Sequence, residues 1–482
     1  EAILQYQHDN EEATYYPTAK LCLINPQQNR QAQDYLLAYK FDIYSTNPHD
    51  YHTYYVDAHT GDILEEISLF CHAQGTASTN YYGNQPFTTE FVNGSYRLYD
   101  YSRNIETYNA NNQYDLQDVN ITSFNNNNWT DPTKKTGSEA HWIAQETYDY
   151  FKNTHGINGY NGFNGKLMIW VHYGNNENNA LAGGGTIRIG DGDGINTSPL
   201  STIDIIAHEY THNIIQHSPS DLKPQNESGA LNESFADIFG IMVERAVYPN
   251  TFDWILGEDA FFDGSGFRSA SNPNSFNLPQ TYQGNFWYDG YEDNGGIHTN
   301  SSVQNYWFYL LSQGGNGTND NGQAYNISGI GMDKAAEIAF RNMTVHLSRN
   351  ANYIEARNGS IDAAIALYGP ASNEVQQVEA AWCAVGVGPC NNSNTGSITL
   401  TAPNGGENLQ QGLLHNITWN NTSSTGNTVT LEYSIDGGSN WQLITDNTPN
   451  DGNYNWTVAN FATSVALIQI TSNDNNTILD KS

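Results

Sequence analysis

The stretch IDIIAHEYTHNIIQH, residues 203–217, decides how this chain is read. Inside it, His208-Glu209-Tyr210-Thr211-His212 sets two imidazoles four residues apart. On a helix that interval is about one turn, so both rings leave the same face and reach one metal ion. Glu209 points into the same cleft, beside the water that such an ion holds. Zinc lowers the pKa of that water towards ~7, and a neighbouring carboxylate takes its proton.

Zinc needs a third protein ligand, and GALNESFAD at 229–237 offers Glu233, with Asp237 four residues on along one helical face. Two histidines and one glutamate leave a fourth position open, the arrangement of a catalytic rather than a structural site. Asp237 is placed to accept a hydrogen bond from one ligand imidazole and fix its tautomer, and Asn232 to hold the other.

Outward from these segments the chain is long and acidic. Its 482 residues exceed one core and suggest about three domains. Asp and Glu number 51 against 18 Lys and Arg, a formal charge of −33. Such a surface repels nucleic acid and anionic lipid, since too few basic groups exist to neutralise phosphates. No run approaches the ~20 apolar residues that span a bilayer, so no membrane insertion is expected. The opening EAILQYQHDN lacks a basic region followed by an apolar core, so an export signal is expected upstream of the numbered chain. Four cysteines form two pairs, Cys22 with Cys71 and Cys383 with Cys390, and no C-x-x-C occurs. Two disulfides in an exported protein are the expectation, the short second loop being the safer.

Residues 1 to about 72 alternate as antiparallel strands around a turn at His59–Asp62. Short strands and loops rich in Asn, Thr, Tyr and Gly follow to about 135, then an amphipathic helix at 137–155 ended by Gly156, and a buried strand at 166–174. From about 200 to 389 helices are expected near 202–217, 229–247, 299–313, 332–346 and 353–368. A polar linker at 391–396 leads to short, evenly spaced strands over 397–482, the pattern of a β-sandwich.

AHEYTH at 207–212, QNESGALNESFADIFG at 225–240 and DNGGIHTNS at 293–301 resemble the signature blocks of the thermolysin-like metallopeptidases. The likeness extends over roughly 75–389, through TYDYFKNTHG, GDGDG, RSASNP and AVGVG. It implies an α+β fold, a two-lobed thermolysin-like catalytic domain, β-rich over 73–205 and helical over 206–390. It implies a secreted endopeptidase acting as a monomer on proteins and peptides, with one catalytic zinc and at least one structural calcium. His298 matches the family's donor to the tetrahedral oxyanion, and Asp293 the carboxylate that orients it. Arg268 matches the arginine that binds a substrate carbonyl. Asn179 and Ala180 match the edge strand that pairs with an extended peptide. Leu200, Ile205 and Phe267 would line the pocket for an apolar residue after the cut. Asp204, Glu244, Asp253 and Glu258 match acids that bind calcium near the active site; Ile255 replaces a shared carboxylate, so one ion is expected rather than two.

The chain also departs from that pattern. The family's tyrosine before Q-N-E-S-G-A is missing, with Lys223 and Pro224 in its place, so His298 is expected to carry more of the oxyanion. Leu181 and Ala182 stand where an aromatic usually follows Asn-Ala, which opens the side before the cut. Asp191 and Asp193 of GDGDG look like an ion loop but are read as turn-formers. His217, His346 and His415 lack the company of a site and are read as structural. Cys71-His72 invites a thiolate cap on zinc; a disulfide to Cys22 is the preferred reading.

Residues 1–72 resemble the C-terminal part of these enzymes' propeptides, notably YYVDAHTGDIL. Processing is expected around 70–75, before GTASTNYYG. APNGGE, ITW and YSIDGGSNW resemble small Ig- or fibronectin-like modules. The competing reading is an inert zinc-fold binding or adhesion protein; it would be favoured by loss of the base or a ligand, and both are present. An aminopeptidase would need a motif anchoring a free amine, and none is seen.

Overall fold

The computed structural model describes residues 18–25, 35–46, 49–68, 72–92, 94–124, 126–388, 397–421, 427–460, 462–473 and 479–482. The chain divides into two compact units, Glu1–Val387 and Gly388–Ser482.

The first unit opens with an antiparallel sheet of β1 (Lys20–Ile24), β2 (Leu36–Thr46), β3 (His49–Asp57) and β4 (Ile63–Ser68), in that order. The expected turn closes the β3–β4 hairpin: Asp57 accepts from the backbone N–H groups of His59 and Thr60, so the turn's amides are satisfied locally. Cys22 of β1 carries a free thiol, which corrects the expected Cys22–Cys71 bridge. β1 and β4 are opposite edges of the sheet. Cys71 itself lies outside the described residues. Cys383 is disulfide-bonded; Cys390, its expected partner, also lies outside them.

β5 (His72–Ser78) starts a different, five-stranded sheet, paired antiparallel with Asn84–Val92. Another five-stranded sheet runs in the order Ala180–Ala182, Thr186–Ile189, Leu167–Val171, Ile105–Asn109, Tyr99–Asp100. Leu167–Val171 lies parallel to both its neighbours, and its run of apolar residues suits a strand covered on both faces. Ala180–Ala182 is the antiparallel edge. α1 (Lys135–His155) shares one core with this sheet through Ile143, Tyr148 and Phe151 against Ile169, Val171 and Ile187. It stops at Gly156, whose φ of 72° lets the Gly156 and Ile157 N–H groups turn back to Lys152 and Phe151 carbonyls, a cap that a β-carbon disfavours.

The helical part contains α2 (Ile203–His217), α3 (Asn226–Val247), α4 (Asp293–Asn300), α5 (Ser302–Gln313), α6 (Met332–Arg341), α7 (Tyr353–Tyr368) and α8 (Asn373–Ala384). α2 and α7 match their expected spans closely, and α3 starts three residues earlier than expected. The helix expected over 332–346 leaves α geometry at Arg341 and widens into a π turn, Asn342–His346. α8 had no counterpart in the sequence reading. Its place depends on distant contact, the Trp382 ring stacking on Trp307 of α5 at 4.7 Å.

The second unit is a two-sheet sandwich. Ile398–Ala402, Leu414–Asn421 and Asn453–Thr457 make one sheet; Gln442–Pro449, Thr428–Ser434, Leu467–Ser472 and Leu479–Lys481 make the other. Leu400, Ile417 and Trp419 from one sheet meet Val429, Leu431 and Ile470 from the other in a single core, as inward-facing alternation predicts.

Candidate active site

The site begins where α2 and α3 touch. Gly240 of α3 rests on the Asp204 carbonyl of α2; an added β-carbon would lie 2.7 Å from that oxygen. Glycine alone permits this approach. It brings the 208/212 face of α2 against the 233/237 face of α3.

There the Nε2 atoms of His208 and His212 lie 2.9 Å apart. Glu233 offers Oε2 to His208 at 3.4 Å and Oε1 to His212 at 3.6 Å. Among the described residues, this trio alone brings three metal-type donor atoms within 4.8 Å of one another. Glu233 Oε2 is buried without a hydrogen-bond partner, and a buried, unpaired carboxylate oxygen is costly unless a cation meets it.

The outer face of each imidazole is occupied. His208 Nδ1 lies 2.9 Å from Asp237 Oδ1, and His212 Nδ1 lies 2.8 Å from Asn232 Oδ1. Asn232 Nδ2 donates to the Leu222 carbonyl, which assigns its oxygen to His212. Both acceptors have only lone pairs to offer, so each Nδ1 carries the hydrogen and each Nε2 turns a lone pair inward. Asp237 also accepts from Arg268 Nε and Nη2 at 2.6 and 2.7 Å, and from Asn305 Nδ2 at 2.7 Å. Burial alone would raise its pKa, but Arg268 and His208 hold the carboxyl down at about 2. Glu209 is only 6% exposed, and burial raises its pKa against the pull of His208 and His212.

His298 stands on the other side of Glu233, Nε2 to Oε2 at 3.4 Å. Asp293 grips it twice, at Nδ1 (2.6 Å) and through its backbone N–H (2.9 Å). That grip depends on an unusual backbone: Asp293, Asn294, Gly295 and Gly296 all have φ between 51° and 92°. Asp, Asn and Gly are the residues that tolerate the left-handed region.

These groups open into a cleft of about 500 Å³. Its lining includes the expected Asn179, Ala180, Leu200, Ile205, Phe267 and Arg268 with the histidines, Glu209 and Glu233. Asp237 and Asp293 stand behind the lining, each on a histidine.

Two family models match the chain in tandem, the thermolysin metallopeptidase catalytic domain over residues 74–216 and its alpha-helical domain over 220–387. A bacillolysin of Bacillus cereus is 34% identical over 395 residues, covering 75% of this chain and 68% of that protein. The chain belongs to the thermolysin metallopeptidase family. A bacillolysin of Brevibacillus brevis is 38% identical over 340 residues, 69% of this chain; the chain spans only 61% of that relative's length. Among solved structures, the precursor of protealysin, a metalloproteinase from Serratia proteamaculans, is similar with a TM-score of 0.50 and 26% identity, over 59% of this chain and 87% of that one.

The thermolysin resemblance had also singled out four acids for calcium. Asp204 is buried and accepts from Thr202 Oγ1 and the Gly257 N–H. Glu244 Oε2 and Glu258 Oε2 are buried without hydrogen-bond partners. Burial, then the charge of Asp204, pushes Glu244 up to about 10 and Glu258 to about 9; burial also raises Asp253. Asp259 adds negative charge to each of them. Its position beside Glu258 was the only signal in the sequence. Asn305, which completes Asp237, was missed as well, and no spacing marks it because it comes from α5. Asp193 shapes a turn as expected, accepting from the N–H groups of Ile195, Asn196 and Thr197. Asp191 pairs with His172 at 2.8 Å.

Proposed function

We propose that this chain is a secreted zinc endopeptidase, with His208, His212 and Glu233 as the zinc ligands. The observation that carries the reading is the convergence of two Nε2 lone pairs and one orphaned carboxylate oxygen while both Nδ1 atoms are engaged behind. Zinc, when bound, supplies Lewis acidity that polarises a carbonyl and lowers the pKa of water.

The remaining work falls to the chain's own groups. The edge strand at Ala180–Ala182 has an open side for an extended peptide, which would add to the sheet by main-chain hydrogen bonds. Leu200, Ile205 and Phe267 receive an apolar side chain after the cut. Glu209, with its raised proton affinity, takes a proton from the attacking water and returns it to the leaving amine. His298, oriented through Nδ1 by Asp293, turns Nε2 towards the developing oxyanion as a hydrogen-bond donor. Arg268 binds a substrate carbonyl with the guanidinium hydrogens that Asp237 leaves unused. Asp237 and Asn232 keep the zinc imidazoles in the binding tautomer.

Asp204, Glu244, Asp253 and Glu258 hold one structural calcium, whose charge would relieve the buried unpaired oxygens of Glu244 and Glu258. Residues 1–72 are the end of a propeptide, a reading supported by the likeness to a protease precursor. The two peptidase lobes are 73–205 and 206–390, the linker 391–396 and the sandwich module 397–482. Processing falls around 70–75, near the start of the strand in which Thr89 and Asn127 hold the carbonyl of Ala73. Export agrees with the disulfide at Cys383, and among the described residues no helix is long and apolar enough to cross a membrane.

The test is casein digestion by the full chain with and without a zinc chelator, beside Glu209→Gln. Activity lost with chelator, restored by zinc and absent from the variant supports the reading. A zinc-loaded, processed chain that cuts nothing refutes it.

A further inference from the structure

One more ion pair lines the cleft, and the roles above leave it unused. Arg349 Nη1 lies 3.2 Å from Asp221 Oδ2, with the two side chains 60% and 40% exposed, and both residues border the cleft. Asn232 joins His212 to the carbonyl of Leu222, the residue after Asp221, so this segment is fastened to the His212 end of the site. Arg268 and Asp237 stand at the His208 end. Along α2, the line from Ile205 through His208 and His212 to Gln216 therefore runs from the apolar pocket towards Asp221 and Arg349.

The pair is held by its backbone. The Arg349 carbonyl accepts from Lys223 N–H at 3.0 Å and from Ser228 Oγ at 2.8 Å, tying it to the segment that carries Asp221. Asp221 itself sits at φ 37°, a strained conformation for a residue with a side chain. Pro224 also lines the cleft at this end.

Arg268 is committed to Asp237 through two of its nitrogens. Arg349 meets Asp221 through one nitrogen, and a guanidinium has five N–H donors in a planar fork suited to a second carboxylate. We propose that Arg349, balanced by Asp221, is a charge-reading subsite for the residues before the cut, and that it favours an acidic side chain there. This rests on the endopeptidase reading, which assigns the apolar pocket to the residue after the cut. Asp221 tempers the preference; without Arg349 the same subsite presents a bare carboxylate and turns towards lysine.

The test uses quenched fluorescent peptides that differ only in Glu, Gln or Lys at the first, second or third residue before one fixed cut. They are assayed with the zinc-loaded full chain once it digests casein. The wild type is expected to favour Glu over Lys at one of these positions by about five- to tenfold in kcat/KM, as suits a partly exposed charge-assisted contact. Arg349→Met reverses that order, and Asp221→Asn strengthens it. Each ratio is taken within one protein, so a smaller folded fraction cancels. A ratio near one in the wild type, or a Glu preference that Arg349→Met leaves intact, overturns the subsite. Failure to cut casein or any peptide removes the endopeptidase reading itself, and the subsite with it.

Discussion

At the proposed calcium site, removing the ion at neutral pH should destabilise the first unit by an amount that the acid cluster sets. Without a cation, burial and mutual charge raise Glu244 to about 10 and Glu258 to about 9, from an ordinary 4.5. Folded values above the unfolded one mean that stability is full below pH 4.5 and is lost as pH rises. At pH 7 the unfolded chain ionises each group while the folded chain keeps its proton, which costs about 1.36 × (7 − 4.5), or ~3.4 kcal/mol, per group. The two acids repel each other, so protonating one eases the other, and the joint cost falls between about 3 and 7 kcal/mol. For a unit of this size that corresponds to a Tm lower by about 5–10 °C. Depressed carboxylates such as Asp237 and Asp193 act in the opposite sense, but only below about pH 4. The assay is thermal unfolding in a calcium chelator from pH 5 to pH 7, repeated with calcium and with Glu244→Gln. The chelated wild type should lose Tm across that window, calcium should abolish the loss, and the variant should lose about half as much. A chelated chain whose Tm holds level or rises from pH 5 to pH 7 would refute the reasoning.

Three further outcomes follow from the site. Glu209→Gln should lower kcat by at least about 10²–10⁴-fold, the usual worth of a general base, while zinc content by metal analysis stays at one per chain. Asp237→Asn weakens the hold on the His208 hydrogen, so zinc affinity in a competition titration should fall by about 10- to 100-fold; unchanged affinity would remove Asp237 from the metal site. His298→Ala should cut kcat by about 10²–10³-fold with little change in KM, because its donor meets charge that develops only in the transition state; a change confined to KM would make it a substrate-binding group.

Much of the site could be read from spacing because it is built from whole turns of two helices. His208 with His212, and Glu233 with Asp237, are intervals of four on α2 and α3, and local periodicity shows them without a fold. His298 and Asp293 came only from family likeness, and their reason is backbone: a left-handed run that lets one carboxylate grip both ring and amide. The Cys22–Cys71 expectation failed because pairing cysteines by their order in the chain takes no account of the fold, in which Cys22 keeps a free thiol on β1. α8 was missed because a short helix held by Trp307 against Trp382 owes its place to a distant contact.

By itself the sequence determined the His208/His212 face of α2, its partner on α3, the helical character of the region after 200 and the separate β-module. Each of these depends on residues within one or two turns or strands, where geometry repeats. Only the tertiary structure decided that Asn305 completes Asp237, that Asp259 joins the acids around Asp204 and that Arg349 reaches the cleft beside Asp221. Asn305 and Arg349 lie tens to more than a hundred residues from their partners, and Asp259, though beside Glu258, is far along the chain from Asp204. Burial and charge bring these groups to bear on one another only once the elements pack.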